Sequence, residues 1–207
     1  MLKIYGRADS SNVRKVTWIA DEIGLAYERE DWGRGFRSTD EPAFQRVSTF
    51  GVVPVIEDDG FILRESNTIL RYLCSKHSRA DLYPSELTAR ATVESWMDWA
   101  SIDLYLGVRP VFLGLTIKMP AFQDKKIIET GIADWTRQMK RLDAQLAANG
   151  PYLAGANFTL ADVGTGIVVN RWYHIDFEKP KLSAVEAYYE RLSTSAPYRA
   201  NVRNGTP

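Results

Sequence analysis

The sequence predicts two parts of different class. Residues 1–80 read as a small α/β domain of element order βαβαββα, residues 81–87 as a linker, and residues 88–207 as an all-helical domain. Three observations carry this. The apolar period switches repeatedly between two and about 3.6 residues in the first part. A turn of hairpin type, Asp58-Asp59-Gly60, separates two short apolar runs. Past residue 87 no strand pattern survives and only helical spacing continues.

Taken in order, Leu2-Lys3-Ile4-Tyr5 alternates as a strand, and Val13, Val16, Thr17, Ala20 and Gly24 follow helical spacing, so residues 12–24 read as a helix. Ala26-Tyr27-Glu28-Arg29-Glu30 reads as a second strand. Residues 31–39, rich in Gly, Arg and aromatics, read as a loop, and residues 41–47 as a weak helix. Val52-Val53-Pro54-Val55-Ile56 reads as a third strand interrupted by proline, and Phe61-Ile62-Leu63 as its return strand. Ile69, Leu70 and Leu73 then repeat at helical spacing up to about His77. A βαβ unit implies parallel pairing and a hairpin implies antiparallel pairing, so a mixed sheet with helices on its faces is expected. In the second part helical patterns cover about residues 88–118, 122–148, 159–173 and 181–194, with breaks at Pro120, Asn149-Gly150-Pro151 and Pro180.

Composition narrows the function classes. Lys+Arg and Asp+Glu are 26 each, and neither half carries more than one net charge. That argues against a nucleic-acid binder, which usually has a basic surplus. The single cysteine, Cys74, rules out an intrachain disulfide framework and a CxxC redox pair, and with only His77 and His174 beside it a metal site is not expected. The most apolar long segment, residues 104–119, is interrupted by Arg109 and Pro110 and is shorter than a membrane span. No signal peptide is visible, so a cytoplasmic setting without membrane attachment is expected. Six Trp and ten Tyr are many for this length; they fill a core or line a pocket.

Three places can carry chemistry. Ser10-Ser11-Asn12 fall at the first strand-to-helix junction, where unpaired backbone N–H groups and the helix dipole favour an anion and a hydroxyl can donate to it. Helix capping is the plainer account of these residues taken alone. Val53-Pro54 puts proline in a strand pattern, which fits an edge, a bulge or a cis turn. A cis turn would aim the Val53 main chain outward, ready to pair with an extended peptide-like ligand. Glu65-Ser66 stand before a helical run and suit either a bound carboxylate or a capping pair. Thr159-Leu160-Ala161-Asp162 has the form of a capping box and reads as structural. Two helix N-termini and a proline-broken strand around one site suit a short peptide bearing a carboxylate and a thiolate.

At these residues the sequence resembles the glutathione S-transferase family. The resemblance covers nearly the whole chain. It is carried by Ser10-Ser11-Asn12-Val13-Arg14-Lys15-Val16, by Gly51-Val52-Val53-Pro54-Val55, by residues 65–73 from Glu65-Ser66 to Tyr72-Leu73, and by Phe158-Thr159-Leu160-Ala161-Asp162. Gly6-Arg7 and Trp96-Met97-Asp98-Trp99 are similar to the bacterial theta-like or GstB-like branch. The resemblance implies a thioredoxin-like N-terminal domain that holds glutathione, an all-helical C-terminal domain and a homodimer. Glutathione is then a co-substrate, and no further cofactor is implied. Pro54 matches the family's cis-proline, Val53 the residue whose main chain pairs with the cysteinyl part of glutathione, and Glu65 and Ser66 the pair that holds the γ-glutamyl carboxylate and ammonium. Ser10 matches the catalytic hydroxyl, with Ser11 one residue later and Asn12 at a position where some bacterial classes use asparagine.

The implied chemistry is control of a thiol pKa. A free cysteine thiol titrates near ~8.5, and lowering it by about 2 units corresponds to roughly 2.7 kcal/mol. The thiolate then attacks an electrophilic carbon, a peroxide or a disulfide. Conjugation to small hydrophobic electrophiles is the leading expectation; isomerisation, peroxide or disulfide reduction, and a non-catalytic binding role are the alternatives. Serine at Ser10, where the disulfide-reducing branch carries cysteine, argues against dithiol chemistry. Tyr105, Arg109, Phe112, Trp172 and Tyr173 are the candidates to meet the electrophile, with core packing as the competing account of the aromatics. Arg34 or Arg37 is the candidate partner of the glycyl carboxylate, and Cys74 reads as core. The chain departs from the family's usual asparagine-proline at Ser48-Thr49-Phe50, which bears on the loop under the ligand.

Overall fold

The computed structural model describes all 207 residues, in two compact units. The first comprises Met1–Tyr83 together with Ala196–Asn204, and the second Pro84–Ser195 with Gly205–Pro207.

The first unit holds strand β1 (Leu2–Tyr5), helix α1 (Ser11–Glu22), β2 (Tyr27–Glu30), the single turn α2 (Pro42–Gln45), β3 (Val55–Asp58), β4 (Phe61–Arg64) and α3 (Ser66–Lys76). This is the expected βαβαββα order. The sheet order is β2-β1-β3-β4, with β1 parallel to β2 and β3 antiparallel to both β1 and β4. Leu2, Ile4, Val55 and Ile56 are buried in its centre, and α1 and α3 bury Val13, Val16, Ile19, Ile69, Leu70 and Leu73. Burial of such side chains, at about 1.5–3 kcal/mol each, is what holds helices this short in place.

Two sequence expectations shift. The third strand runs over Val55–Asp58 instead of residues 52–56, because Pro54 has no N–H to give the ladder and the Val53-Pro54 bond is cis. The first helix begins at Ser11, so Ser10 occupies its N-cap position. A further element was not expected at all. Helix α9 (Ala196–Asn201) packs with the first unit, whereas the sequence reading carried the helical domain through residue 207. Tyr198 meets Trp18 edge-on at 4.8 Å, and the buried Arg14 guanidinium donates to the carbonyls of Asn201 (2.7 Å) and Val202. A buried charge requires such partners, so α9 is built into the unit and is not a loose tail.

The second unit contains α4 (Leu87–Trp99), α5 (Tyr105–Val111), α6 (Lys125–Asn149), α7 (Leu160–His174) and α8 (Ser183–Leu192). The expected helix over residues 88–118 is one path interrupted by two π-helical segments, Ala100–Leu104 and Phe112–Thr116, on either side of α5. Pro110 lies inside α5 and supplies no N–H there, and π-helical turns are a known accommodation for such interruptions. At Gly107, α5 comes so close to α6 that an added Cβ would lie 2.5 Å from the Trp135 nitrogen. Helix α7 is buried along almost its whole length, with the polar Asp162, Thr165, Asn170 and Arg171 among its buried residues. Its start is the expected capping box: Asp162 accepts from the Thr159 and Leu153 N–H groups and the Tyr188 hydroxyl, each at 3.0 Å.

Candidate active site

The candidate site lies in the first unit, where β1 ends. Gly6 has φ 151°, and a Cβ there would meet Val13 at 2.5 Å and Val53 at 3.0 Å. Only glycine lets the end of β1 pass this close to both the first helical turn of α1 and the Val53 loop. The three sequence segments therefore converge around one glycine.

Ser10 sits at the N-cap of α1 with extended backbone (φ −76°, ψ 123°), buried to 7 % exposure. Its hydroxyl makes no cap hydrogen bond, so the capping account of this residue does not describe it. The α1 N-terminus has no acidic side chain in its first turn. A donor hydroxyl and unpaired N–H groups thus stand together with no acidic side chain in the first helical turn. Ser11 is the first helical residue and half-buried; Asn12 is exposed one position on.

Helix α3 brings a second N-terminus to the same place. The Ser66 hydroxyl donates to the Asn12 side-chain oxygen (3.3 Å), tying the start of α3 to the start of α1 across 54 residues of sequence. Glu65 precedes it at φ 70°, a left-handed conformation unfavourable for glutamate, and its carboxylate does not cap the helix. Such a backbone outlier is maintained only where the surroundings enforce it, and the Glu65 side chain is exposed. Arg64 pairs with it at 3.0 Å.

The Val53 main chain is outside the sheet. The β1–β3 ladder ends at Tyr5 and Val55, and Val53 makes no backbone hydrogen bond of its own. Its N–H and C=O are thus available to an extended ligand, the arrangement that strand-like peptide recognition uses.

The two arginines put forward for a glycyl carboxylate differ. Arg37 is engaged: it stacks over Trp32 at 3.7 Å and pairs with Glu41 at 3.3 Å. Arg34 is exposed and only 4.0 Å from Asp9. Arg7 was missed as a functional candidate by sequence reasoning, since a single arginine after a strand reads as surface. It is in fact half-buried, with 16 % of its side chain exposed. Cys74 is core as expected, 1 % exposed, with burial pushing its thiol up to about 12. It is therefore a protonated packing residue at neutral pH.

The family model of the glutathione S-transferase N-terminal domain matches residues 4–81, and that of the C-terminal domain matches residues 111–196. A theta-class glutathione S-transferase from Xanthomonas axonopodis pv. citri, solved with glutathione bound, is 35% identical at a TM-score of 0.90, covering 97% of this chain and 96% of that one. This chain belongs to the glutathione S-transferase family. It is accordingly a glutathione transferase. Glutathione S-transferase GstB of Escherichia coli (strain K12) is 29% identical over 93% of each chain, and glutathione S-transferase 3 of Zea mays 30% identical over 81% of this chain and 76% of its own.

The second unit of the transferase sorts the electrophile candidates. Tyr105 (40 % exposed) and Arg109 project from α5, Arg109 toward the Phe122 ring at 4.9 Å. Phe112 carries the Arg171 guanidinium stacked on its face at 3.6 Å. Trp172 is corrected to a core residue. It is 1 % exposed and packs edge-on against Trp135 and Phe177, both at 5.2 Å, so its ring is occupied by neighbours. Tyr173 stacks on Tyr189 at 4.7 Å, and burial with nearby acidic groups pushes its hydroxyl up to about 12.

Proposed function

We propose that this glutathione transferase conjugates the thiolate of glutathione to small hydrophobic electrophiles, with the Ser10 hydroxyl donating a hydrogen bond to the sulfur. The observation that carries the reading is the uncapped Ser10 hydroxyl at the start of α1. A hydrogen bond to a charged acceptor contributes about 1.5–3 kcal/mol, and a helix N-terminus adds about 0.3–1 kcal/mol in favour of the anion. Together these lower a thiol pKa by about 1–3 units. Ser10 acts as a donor: the sulfur forms the new bond to carbon, and the leaving group departs with its electron pair or the electrophile takes up a proton.

The remaining roles follow the same frame. The Val53 main chain pairs with the cysteinyl segment. Glu65 holds the γ-glutamyl ammonium, and the Ser66 hydroxyl and N–H hold its carboxylate, with Asn12 orienting Ser66. Arg34, less engaged than Arg37, is the better partner for the glycyl carboxylate. Tyr105, Arg109 and Phe112 are proposed to meet the electrophile. The reading places the chain in the reducing cytoplasm as a remover of reactive electrophiles, and no helix is long and apolar enough to cross a membrane.

A homodimer is part of the proposal. Phe50, Val52, Phe61 and Ile62 are all more than two-fifths exposed in the first unit, an unusual concentration of apolar surface for a monomer. Light scattering is expected to give twice the 23.5 kDa chain mass; a single-chain mass would remove this part.

Calorimetry with reduced glutathione tests the ligand. A panel of an aryl halide, an isothiocyanate, a hydroperoxide and a mixed disulfide tests the reaction. Binding with turnover of the first two substrates is the expected result. Turnover of only the last two would move the reading to reduction, and no binding at all would leave a non-catalytic use of the fold.

A further inference from the structure

Arg7 lies at the same convergence of segments but has no role in the reading above. Its backbone fixes it from two sides: its N–H donates to the Trp32 carbonyl (3.1 Å), and its carbonyl accepts the N–H of Ser10 (3.2 Å). Its side chain is ion-paired with Asp9, whose carboxylate is 2.8 Å from Nε but outside hydrogen-bond geometry. One terminal guanidinium nitrogen then comes 3.2 Å from the point where Gly33 would carry a Cβ, and the Val53 side chain lies 3.8 Å from that same point. The guanidinium is thus packed into the corner between residue 33, Val53 and the turn that leads to Ser10.

The local charges do not cancel. Arg7 and Arg34 share Asp9, Arg34 at 4.0 Å. On the strand beneath, Arg29 is paired with Asp31, and Asp31 also accepts the N–H of Ala8 (3.1 Å). The cluster of Arg7, Arg34 and Arg29 with Asp9 and Asp31 therefore keeps one positive charge in excess. It adjoins the helix start at Ser10, whose dipole has the same sign. Burial lowers the Arg7 pKa, opposed by Asp9 and assisted by Arg34, but a guanidinium starts so high that it stays charged. Only its Nε faces a carboxylate, so the terminal nitrogens retain donors for a ligand.

We propose that Arg7 is a positioning and electrostatic residue of the glutathione site, a fixed cation beside Val53 that acts with Ser10 to hold the bound thiol as thiolate, and that Asp9 limits its strength. The inference rests on the glutathione reading and deepens it. The Arg7 guanidinium and the Val53 side chain border the same point at residue 33, and Val53 also borders Gly6 beside Val13, so a ligand paired with Val53 shares this corner with the cation. A cation within several ångströms of a thiol, partly screened, shifts it by about 1 pH unit.

The test is a pH titration of the ultraviolet thiolate absorbance of glutathione bound to the full-length protein, wild type against Arg7→Gln, Arg7→Lys and Asp9→Asn. Arg7→Gln is expected to raise the thiol pKa by about 1 unit and to lower kcat/KM about tenfold below that pKa, with recovery at higher pH. Arg7→Lys is expected to restore most of the shift. Asp9→Asn removes the neutralising carboxylate, so it should move the pKa downward. A merely structural Arg7–Asp9 pair would not produce opposite shifts from its two halves. Equal thiol pKa values in wild type and Arg7→Gln, or an upward shift in Asp9→Asn, overturn the inference; should Arg7→Gln fail to fold, the sign from Asp9→Asn decides. Wild-type protein that binds no glutathione overturns the inference together with the function beneath it.

Discussion

Ser10→Ala is expected to lower turnover at least tenfold while glutathione affinity stays within about twofold of wild type. The substitution removes one hydroxyl from a side chain that makes no internal hydrogen bond, so the fold loses little. What is lost is a charge-assisted bond to sulfur of about 1.5–3 kcal/mol, equivalent to roughly ten- to hundredfold. Affinity is retained because Glu65, Ser66 and the Val53 main chain are untouched. The sign in pH is fixed by the same account. Without the donor the bound thiol titrates higher, so the rate profile of Ser10→Ala moves to higher pH and approaches wild type in alkaline solution. Ser11→Ala, at the first helical residue, is expected to leave turnover near wild type. Steady-state kinetics with an aryl halide and calorimetry with glutathione separate the two quantities. A Ser10→Ala enzyme with wild-type turnover, or a larger loss in Ser11→Ala, would move the donor assignment.

Asp162→Ala is expected to be the most destabilising single change, by about 3–5 kcal/mol and roughly 10 °C in Tm. Asp162 is 0 % exposed and gathers two backbone N–H groups and the Tyr188 hydroxyl, each at 3.0 Å. Alanine leaves these donors buried without an acceptor, each costing about 1–3 kcal/mol. The pH dependence runs against the usual carboxylate pattern. Burial pushes the Asp162 carboxyl up to about 6, although every hydrogen bond to it favours the charged form. A folded-state pKa above the unfolded value of 3.8 means the native protein holds the proton more tightly. The contribution is complete below the unfolded value and is lost as pH rises through about 6. Denaturant unfolding of wild type and Asp162→Asn should therefore differ in slope between those limits. Wild type should lose about 3 kcal/mol relative to the variant as the carboxyl ionises. A difference that is flat or grows with pH would show that the donors, not burial, set this group.

The sheet and the long helices were legible because their periods are strong and their caps local. β1 alternates cleanly, α3 starts at a Glu-Ser pair and repeats Ile69, Leu70 and Leu73, and the Thr159–Asp162 box announces α7. β3 was displaced because apolar continuity runs through Val52 and Val53, while the ladder needs the N–H that Pro54 lacks. α9 was not legible because six residues with one buried side chain, Tyr198, give too short a period to register, and its partners Arg14 and Trp18 are nearly two hundred residues away in sequence. For the candidate site, the placement of Ser10, Asn12, Val53 and Ser66 at helix starts and beside Pro54 was readable from local patterns. The approach of Val13 and Val53 to Gly6, and of Ser66 to Asn12, was not, since it depends on distant segments meeting in space. Trp172 was misplaced because helical spacing assigns a residue to a face without saying what covers that face.

The discontinuous make-up of the first unit bears on how the chain is made. A ribosome releases residues 1–83 early, yet Arg14 must wait for the carbonyls of Asn201 and Val202, which emerge only after the helices between them. The half that carries Ser10 thus cannot complete itself from residues 1–83 alone. It stays provisional until the intervening helical half has been made, so the nascent chain has a built-in delay between forming its sheet and sealing the helix from which its proposed thiolate donor projects.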